Sequence, residues 1–252
     1  MKNKFLLLIF MLPFCLSAQW DAGVKVEYIL QIKKNNRTEV VTVLFSPNNS
    51  LGIIPISPAK EPEIKTDENG KMTAEIMFGP NQEENALYHT DYNSRLWTAK
   101  LFIADEPFTV TDQLPSLDWA FSGETKTIAD YKCHAATTTF RGRDYIAYFT
   151  PDIPIGAGPY KFGGLPGLIL EIATDDGKFA WHCKSISKIS PIELKLITPP
   201  DNNKAINFSV YQEKNVAYIL RIFENLRNSP TLNVEGEGVI DYDLMLELPE
   251  KQ

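Results

Sequence analysis

Apolar and polar side chains alternate along most of this chain. From residue 24 to residue 32, every second position is apolar and most positions between are polar. This period of two is typical of a strand with one buried face. The turn-forming pair Asn35-Asn36 separates it from a similar run at residues 40–45. The pattern predicts antiparallel strands from the beginning of the folded region.

Further along, pairs of strand-like runs flank short turns and predict hairpins. The turns lie at residues 67–70, 92–94, 141–143 and 175–177. The runs beside them are residues 72–78, 87–90 and 96–103, 131–140 and 144–150, and 168–174 and 178–186. Residues 192–197 and 239–248 are also strand-like. Together these runs predict an antiparallel meander.

One segment carries prolines where a central strand would not. Residues 51–62 contain Pro55, Pro58 and Pro62. Because proline cannot donate a backbone hydrogen bond, it is confined to edge strands and irregular segments. We expect an edge segment or loop here, and a candidate flap.

The period changes to a helical one between residues 209 and 228. Apolar residues recur there every three or four positions without proline or glycine, and Ser229-Pro230 follows. Leu220 and Phe223 are predicted to be buried against the sheet. The expected fold is therefore mainly β: an antiparallel sheet or open half-barrel with one C-terminal helix on a face. By analogy it is similar to the periplasmic lipoprotein carriers.

The first 18 residues have the features of a secretory signal peptide. Lys2 and Lys4 precede an apolar run of about 12 residues, and the small residues Ser17-Ala18 follow it. The run is shorter than the roughly 20 residues that span a bilayer. We predict cleavage after Ala18, export to the periplasm or outer-membrane periphery, and a single mature domain at residues 19–252 that does not span the membrane.

Charge and cysteine content narrow the classes of function. The net charge is −7 and there is no block of basic residues, so nucleic acid is not an expected partner. Of three cysteines, Cys15 belongs to the predicted signal peptide, which leaves Cys133 and Cys183. An even number in an exported protein predicts a disulfide, and two buried free thiols are the alternative.

The run Gly164-Leu165-Pro166-Gly167-Leu168-Ile169 carries a resemblance to a known family. Matching segments extend over residues 119–172, including 124–128, 131–133, 140–143, 148–150, 152–154 and 158–162. In this region the chain resembles the GLPGLI family of exported Bacteroidetes proteins, although Tyr148 stands where tryptophan is commoner. The resemblance implies export and no established activity.

The glycines of this motif favour a structural role. Leu165-Pro166-Gly167-Leu168 suits a type II turn, because Pro166 presets φ and Gly167 accepts a positive φ. A phosphate-binding loop would need a lysine and a helix start directly afterwards, whereas Leu168 begins a strand-like run. The motif is therefore expected to position strands.

No residue pattern indicates catalysis, a metal or a cofactor. Cys133-His134 and His182-Cys183 contain zinc-binding residue types, but neighbours on a strand point to opposite faces, so the four could not converge. No serine lies in a nucleophile-elbow sequence, and His89 is the remaining histidine. We expect a protein that is not an enzyme and needs no cofactor.

A polar and aromatic set accompanies the motif and is the candidate ligand or partner surface. Its members are Arg141, Arg143, Tyr148, Asp152, Tyr160 and Lys161. The alternative interpretation is a network that holds the loop in shape.

Two functions remain at this point. The expected one is an envelope protein that binds or carries a hydrophobic or lipid-like ligand in a concave sheet. The alternative is an accessory protein for an outer-membrane receptor or assembly system. An apolar cavity would favour the first, and a filled interior with an exposed sheet edge the second.

Overall fold

The computed structural model describes residues 22–33, 37–56, 63–66, 68, 72–75 and 84–228. The predicted signal peptide, residues 57–62, the side chain of Phe223 and the strand-like run at 239–248 lie outside this part. The strands are β1 (Val24–Ile32), β2 (Arg37–Phe45), β3 (Asn49–Ile56), β4 (Glu63–Thr66), β5 (Met72–Glu75), β6 (Glu84–Asp91), β7 (Leu96–Ile103), β8 (Glu106–Gln113), β9 (Ala120–Ile128), β10 (Tyr131–Phe140), β11 (Arg143–Thr150), β12 (Leu168–Thr174), β13 (Phe179–Lys188) and β14 (Ile206–Asn207). The helices are α1 (Pro191–Leu194) and α2 (Phe208–Arg227).

Twelve of these strands form one open sheet. Its order is β14-β8-β7-β6-β3-β2-β1-β13-β12-β11-β10-β9, and β4 pairs separately with β5. Neighbouring strands are antiparallel except β14, which adds a short parallel pairing to β8 at the start of α2. Tyr211 of α2 packs on Phe108 of β8 and donates a hydrogen bond to the carbonyl of Phe102. The predicted fold class is confirmed.

The sheet curls until residues near its two ends meet. Asp112 lies on β8, next to one end, and Arg141 lies in the turn between β10 and β11, near the other. Their side chains are 3.4 Å apart. This curl leaves one enclosed side, toward which the apolar positions of β1 point: Val24, Val26 and Tyr28 are fully buried. The alternation seen in the sequence therefore locates the core.

The loop between β11 and β12, residues 151–167, fills the enclosed side of the sheet. Ile153, Ile155, Phe162 and Leu165 are buried there and join the main apolar core. Three hydrogen bonds hold this loop and the following strand in place. They run from Tyr28 Oη to Ile169 O (2.7 Å), from Tyr160 N to Tyr88 Oη (3.0 Å) and from Trp119 Nε1 to Gly163 O (2.9 Å). Side chains of the loop therefore occupy the space that the curled sheet encloses.

Gly167 makes the turn before β12 as the sequence predicts, but the turn is of a different type. Its φ is positive, at 148°, and a Cβ there would lie 2.1 Å from the carbonyl oxygen of Thr150. The Gly167 N–H donates to Leu165 O at 2.8 Å, which closes a three-residue γ-turn around Pro166. The predicted type II turn is wrong because the Leu168 N–H donates to Ile153 O instead.

The Pro-rich segment is not an edge, contrary to the prediction. β3 lies between β2 and β6. Its pairing with β2 ends at Ile53, whereas its pairing with β6 continues to Ile56. Pro55 therefore has a partner strand on one side only. Its missing N–H removes no hydrogen bond to β2, because the pairing with β2 has already ended.

The strand predicted at residues 192–197 is also wrong, because helix α1 begins there. Ser190 is its N-cap, and the Ser190 side chain accepts from the Glu193 N–H while the Glu193 carboxylate accepts from the Ser190 N–H. This capping box and a proline at the first position favour a helix start over a strand.

The predicted helix at 209–228 is confirmed as α2, but the predicted burial of Leu220 is wrong. Leu220 is 43% exposed, whereas Phe208 and Tyr211 are buried. Only the first turns of α2 lie against the sheet, since its packing is on β8 and β14. Neither described helix has the length and apolar character needed to cross a membrane.

The predicted disulfide is not formed in this structure, where Cys133 and Cys183 are free thiols. Cys133 lies on β10 and Cys183 on β13, with β11 and β12 between them. Burial raises the pKa of Cys133 to about 11 and that of Cys183 to about 12.

Candidate functional site

A charged cluster joins the two ends of the curled sheet. Asp112 Oδ2 lies 2.7 Å from Lys161 Nζ and 3.4 Å from Arg141 Nη2. The Lys161 side chain is 1% exposed, and the carboxylate of Asp112 is about a quarter exposed. The cluster thus has a buried ammonium group on one side and a partly hydrated carboxylate on the other.

Aromatic rings enclose the ammonium group of Lys161. Its Nζ lies 4.0 Å from the ring centre of Phe208, 4.2 Å from that of Trp97 and 5.3 Å from that of Tyr160. The negative faces of aromatic rings attract a cation, most strongly where water is excluded. Rings and carboxylate together compensate the loss of hydration that a buried lysine suffers.

Unusual backbone conformations place two members of the cluster. Arg141 has φ of 49° in the two-residue turn between β10 and β11, followed by Gly142 at 72°. Tyr160, directly before Lys161, has φ of 58°. Positive φ is uncommon for residues other than glycine, asparagine and aspartate, so surrounding contacts must hold both conformations.

Two clefts flank the Asp112–Lys161 ion pair. The first has a volume of about 370 Å³ and is lined on one side by Tyr160, Lys161 and Phe162 of the motif loop, and on the other by Thr90 and Arg95. The second, of about 310 Å³, is lined by residues that include Asp112, Arg141 and Phe208. We refer to the first as the loop cleft.

The six residues of the predicted polar surface do not lie together in the structure. Arg141, Tyr160 and Lys161 meet at the charged cluster. Arg143 lies over the ring of Phe179, at 5.4 Å from its centre. Asp152 follows β11 and donates its backbone N–H to Thr150. These last two residues do not join the cluster.

Tyr148 belongs to a separate polar group on the outside of the sheet. Glu171 bridges Lys126 and His182, with distances of 2.5 Å and 3.1 Å. Lys126 Nζ also lies 3.7 Å from the ring centre of Tyr148, whose hydroxyl donates to Glu124 at 3.4 Å. Glu171 and His182 lie opposite each other on the adjacent strands β12 and β13, a common stabilising arrangement on an exposed face, whereas Lys126 on β9 reaches Glu171 and Tyr148 across intervening strands. Within the described residues, no group of three or more His, Cys, Asp or Glu side chains could hold a metal ion.

No motif in the sequence marks Thr90, Trp97, Asp112 or Phe208 as residues of this site. Each comes from a strand or helix start far from the motif in sequence, and each sits in an ordinary alternating or helical pattern. The strand pattern places Trp97 on a buried face, but nothing local indicates that Lys161 lies over its ring. Only the curl of the sheet brings them together.

Strand β9 forms an open edge of the large sheet. It pairs with β10 on one side, and no described strand pairs with its other side. Most of its residues are exposed, and Phe121 is 62% exposed. The ladder is interrupted by a bulge opposite Ala135, after which Thr125 to Ile128 pair regularly with β10. That regular stretch is the part of the edge open to another strand.

A family described as "Protein of unknown function (Porph_ging)" matches residues 141–171. The match lies within the region that carries the motif and includes Arg141, Tyr160 and Lys161. No curated protein matches the chain.

Two solved structures of PNGF-II resemble this fold. In the P21 space group the TM-score is 0.53 at 13% identity, covering 78% of this chain and 34% of that one. In the C2 space group the TM-score is 0.53 at 15% identity, covering 78% and 33%. This chain thus spans about a third of those proteins, and the similarity concerns fold alone. The Pseudomonas aeruginosa MucA/MucB complex matches more weakly, with a TM-score of 0.34 at 9% identity over 71% of this chain and 57% of that one.

Proposed function

We propose that this chain is an exported, GLPGLI-type envelope protein without enzymatic activity that binds an extended segment of another envelope protein at the edge of β9. Such β-augmentation adds a partner strand to an open sheet through backbone hydrogen bonds. The observation that carries the proposal is the open edge of β9 beside an interior that the chain itself fills.

The filled interior argues against a carrier that holds a hydrophobic ligand inside the curled sheet. Ile153, Ile155, Phe162 and Leu165 of the motif loop occupy the space where a carrier would hold its ligand. The loop cleft that remains is mixed in character, with a cationic residue on each side. The interaction module therefore becomes the favoured function.

The hairpin between β9 and β10 determines which groups face the open edge. Ala129 and Asp130 have φ of 48° and 67°, as in a two-residue type I′ turn. The residues flanking such a turn, Ile128 and Tyr131, form a hydrogen-bonded pair, and such pairs alternate along the ladder. The N–H and C=O groups of Thr125 and Thr127 therefore point outward.

This geometry provides a test with matched variants. Thr127→Pro removes an outward N–H and leaves the bonds to β10 intact, whereas Thr127→Val retains the N–H and the branched shape. A photo-crosslinking residue at Thr125, in the full chain expressed in its native envelope, reports contact at the edge. We expect a discrete crosslinked protein with Thr127→Val and its loss with Thr127→Pro.

Peptide mapping of the crosslinked product should place the contact in an extended segment of the partner. The two Thr127 variants should also unfold at similar denaturant concentrations, which separates loss of binding from loss of folding. An undiminished adduct in the stably folded Thr127→Pro variant would disprove edge pairing, as would a complete lack of adduct at Thr125.

A further inference from the structure

We infer that the loop cleft is a binding site for a carboxylate group carried on an apolar body. This site is distinct from the β9 edge, because no residue of β9 lines the cleft. Its volume of about 370 Å³ lies in the range of sites for small organic molecules. The inference does not depend on the proposed function.

Thr90 is the first observation that points to a ligand. The residue is 2% exposed and lines the cleft, yet its hydroxyl has no hydrogen-bond partner among the described residues. Thr90 pairs with Trp97 across β6 and β7, so both side chains lie on the enclosed face. A buried hydroxyl without a partner costs free energy, which a ligand oxygen would recover.

The charges around the cleft point to an anion. Lys161 and Arg95 line it, and no aspartate or glutamate is among the described residues that do so. Asp112 offsets Lys161, but Arg141 adds a further positive charge to the same carboxylate. The carboxylate of Asp91, in the turn that leads to Arg95, is satisfied locally, because it accepts hydrogen bonds from the Asn93 and Ser94 N–H groups.

Part of the cleft wall is apolar and would contact the body of a ligand beyond its charged group. Leu114, Leu117 and Phe162 contribute apolar surface, and Gly163 and Gly164 allow the backbone to approach closely. A carboxylate accepts several hydrogen bonds at once, so it would accept one from the Thr90 hydroxyl while the positive charges of Lys161 and Arg95 attract it. Both the C-terminal residue of a peptide and a fatty acid have this chemistry.

Three probes test the assignment by calorimetry and by NMR of the 15N-labelled full chain. N-acetyl-L-phenylalanine supplies a peptide-like carboxylate, N-acetyl-L-phenylalaninamide is its neutral counterpart, and octanoate represents a fatty acid. We expect an acid to bind about ten-fold more tightly than the amide, since hydrogen bonds to charged groups contribute the most. Shifts should centre on Thr90 and Lys161, and affinity should fall as salt is added.

Two valine substitutions form a matched pair. Thr138 is also buried with an unpartnered hydroxyl, but it lies on β10 and does not line the cleft. Thr90→Val and Thr138→Val should both leave the stability of the free protein unchanged or slightly raised, because no hydrogen bond is lost. Only Thr90→Val should weaken acid binding, by about ten-fold.

The outcomes distinguish a peptide ligand from a fatty acid, and both from failure of the site. Preference for N-acetyl-L-phenylalanine assigns a peptide C-terminus, and preference for octanoate assigns a fatty acid. Equal binding of acid and amide, no binding of either acid, shifts away from the cleft, or equal affinity of the two valine variants would overturn the inference.

Discussion

Lys161 and Asp112 form an ion pair, 2.7 Å between Nζ and Oδ2, that joins the motif loop to strand β8. The lysine is buried and the carboxylate is partly hydrated, so the two partners are not equivalent. Loss of the carboxylate leaves a buried ammonium group, whereas loss of the ammonium leaves a carboxylate that water and Arg141 still contact.

Asp112→Asn should therefore destabilise the protein more than Lys161→Met. We expect a cost of about 3 kcal/mol for the first, the low end for breaking a buried pair because Asp112 is partly exposed, and less than about 2 kcal/mol for the second. Urea unfolding of both variants and the double variant measures this asymmetry. An equal or larger loss of stability for Lys161→Met would show that the unpaired ammonium group does not have the larger desolvation cost.

Gly167→Ala should cost more than Gly123→Ala, although both glycines have positive φ. A Cβ at Gly167 would lie 2.1 Å from Thr150 O, whereas nothing lies within 4 Å of a Cβ at Gly123. Gly123→Ala should cost only the conformational penalty of about 1 kcal/mol, and Gly167→Ala at least about 2 kcal/mol more. Thermal unfolding of the two variants compares them directly, and similar losses would contradict the close approach at Thr150.

Acidification should weaken the contact between Lys25 and Glu193. Hydrogen bonding to Lys25 and to the Ser190 N–H lowers the pKa of Glu193 from 4.5 to about 2. Because the folded-state pKa is depressed, this stabilisation is present above pH 4.5 and is lost as pH falls toward 2. Both side chains are partly exposed, so solvent screening limits the effect to under about 1 kcal/mol.

Denaturant unfolding at pH 6 and at pH 2.5 of the wild-type protein and Glu193→Gln tests this dependence. The wild-type protein should lose more stability between these pH values than the variant does. Identical losses would mean that the contact contributes nothing in solution.

Cys133 and Cys183 should both titrate as thiols in protein that has not been reduced. Their raised pKa values keep the reactive thiolate scarce near neutral pH, so native labelling with iodoacetamide should be slow and unfolding should accelerate it. Mass spectrometry of labelled protein counts the modified sites. If denatured, unreduced protein takes up label at neither cysteine, the disulfide predicted from the sequence exists after all.

The sequence alone was sufficient for the strands of the main hairpins. Their signals are local: alternation along Val24–Ile32 and Leu168–Thr174, and turn residues such as Asp175-Asp176-Gly177. Helix α2 was equally clear from its period. The predicted secondary structure is wrong where local signals compete. In α1 the capping box of Ser190 and Glu193 outweighs the strand-like residues that follow.

Half of the predicted polar surface formed one cluster because Arg141, Tyr160 and Lys161 belong to the turn and loop on the enclosed side of the sheet. Arg143, Tyr148 and Asp152 diverged because adjacent strand residues face opposite ways and a loop redirects the chain. Spacing in the sequence does not reveal which face a loop residue reaches.

The sequence by itself determined the fold class, the hairpins and the need for glycine at position 167, since these depend on backbone sterics and on the period of buried side chains. Only the tertiary structure decided that the sheet curls, that the motif loop fills its interior and that Asp112, Trp97 and Phe208 surround Lys161. These contacts join residues far apart in sequence, and their free energy exists only once the chain closes on itself.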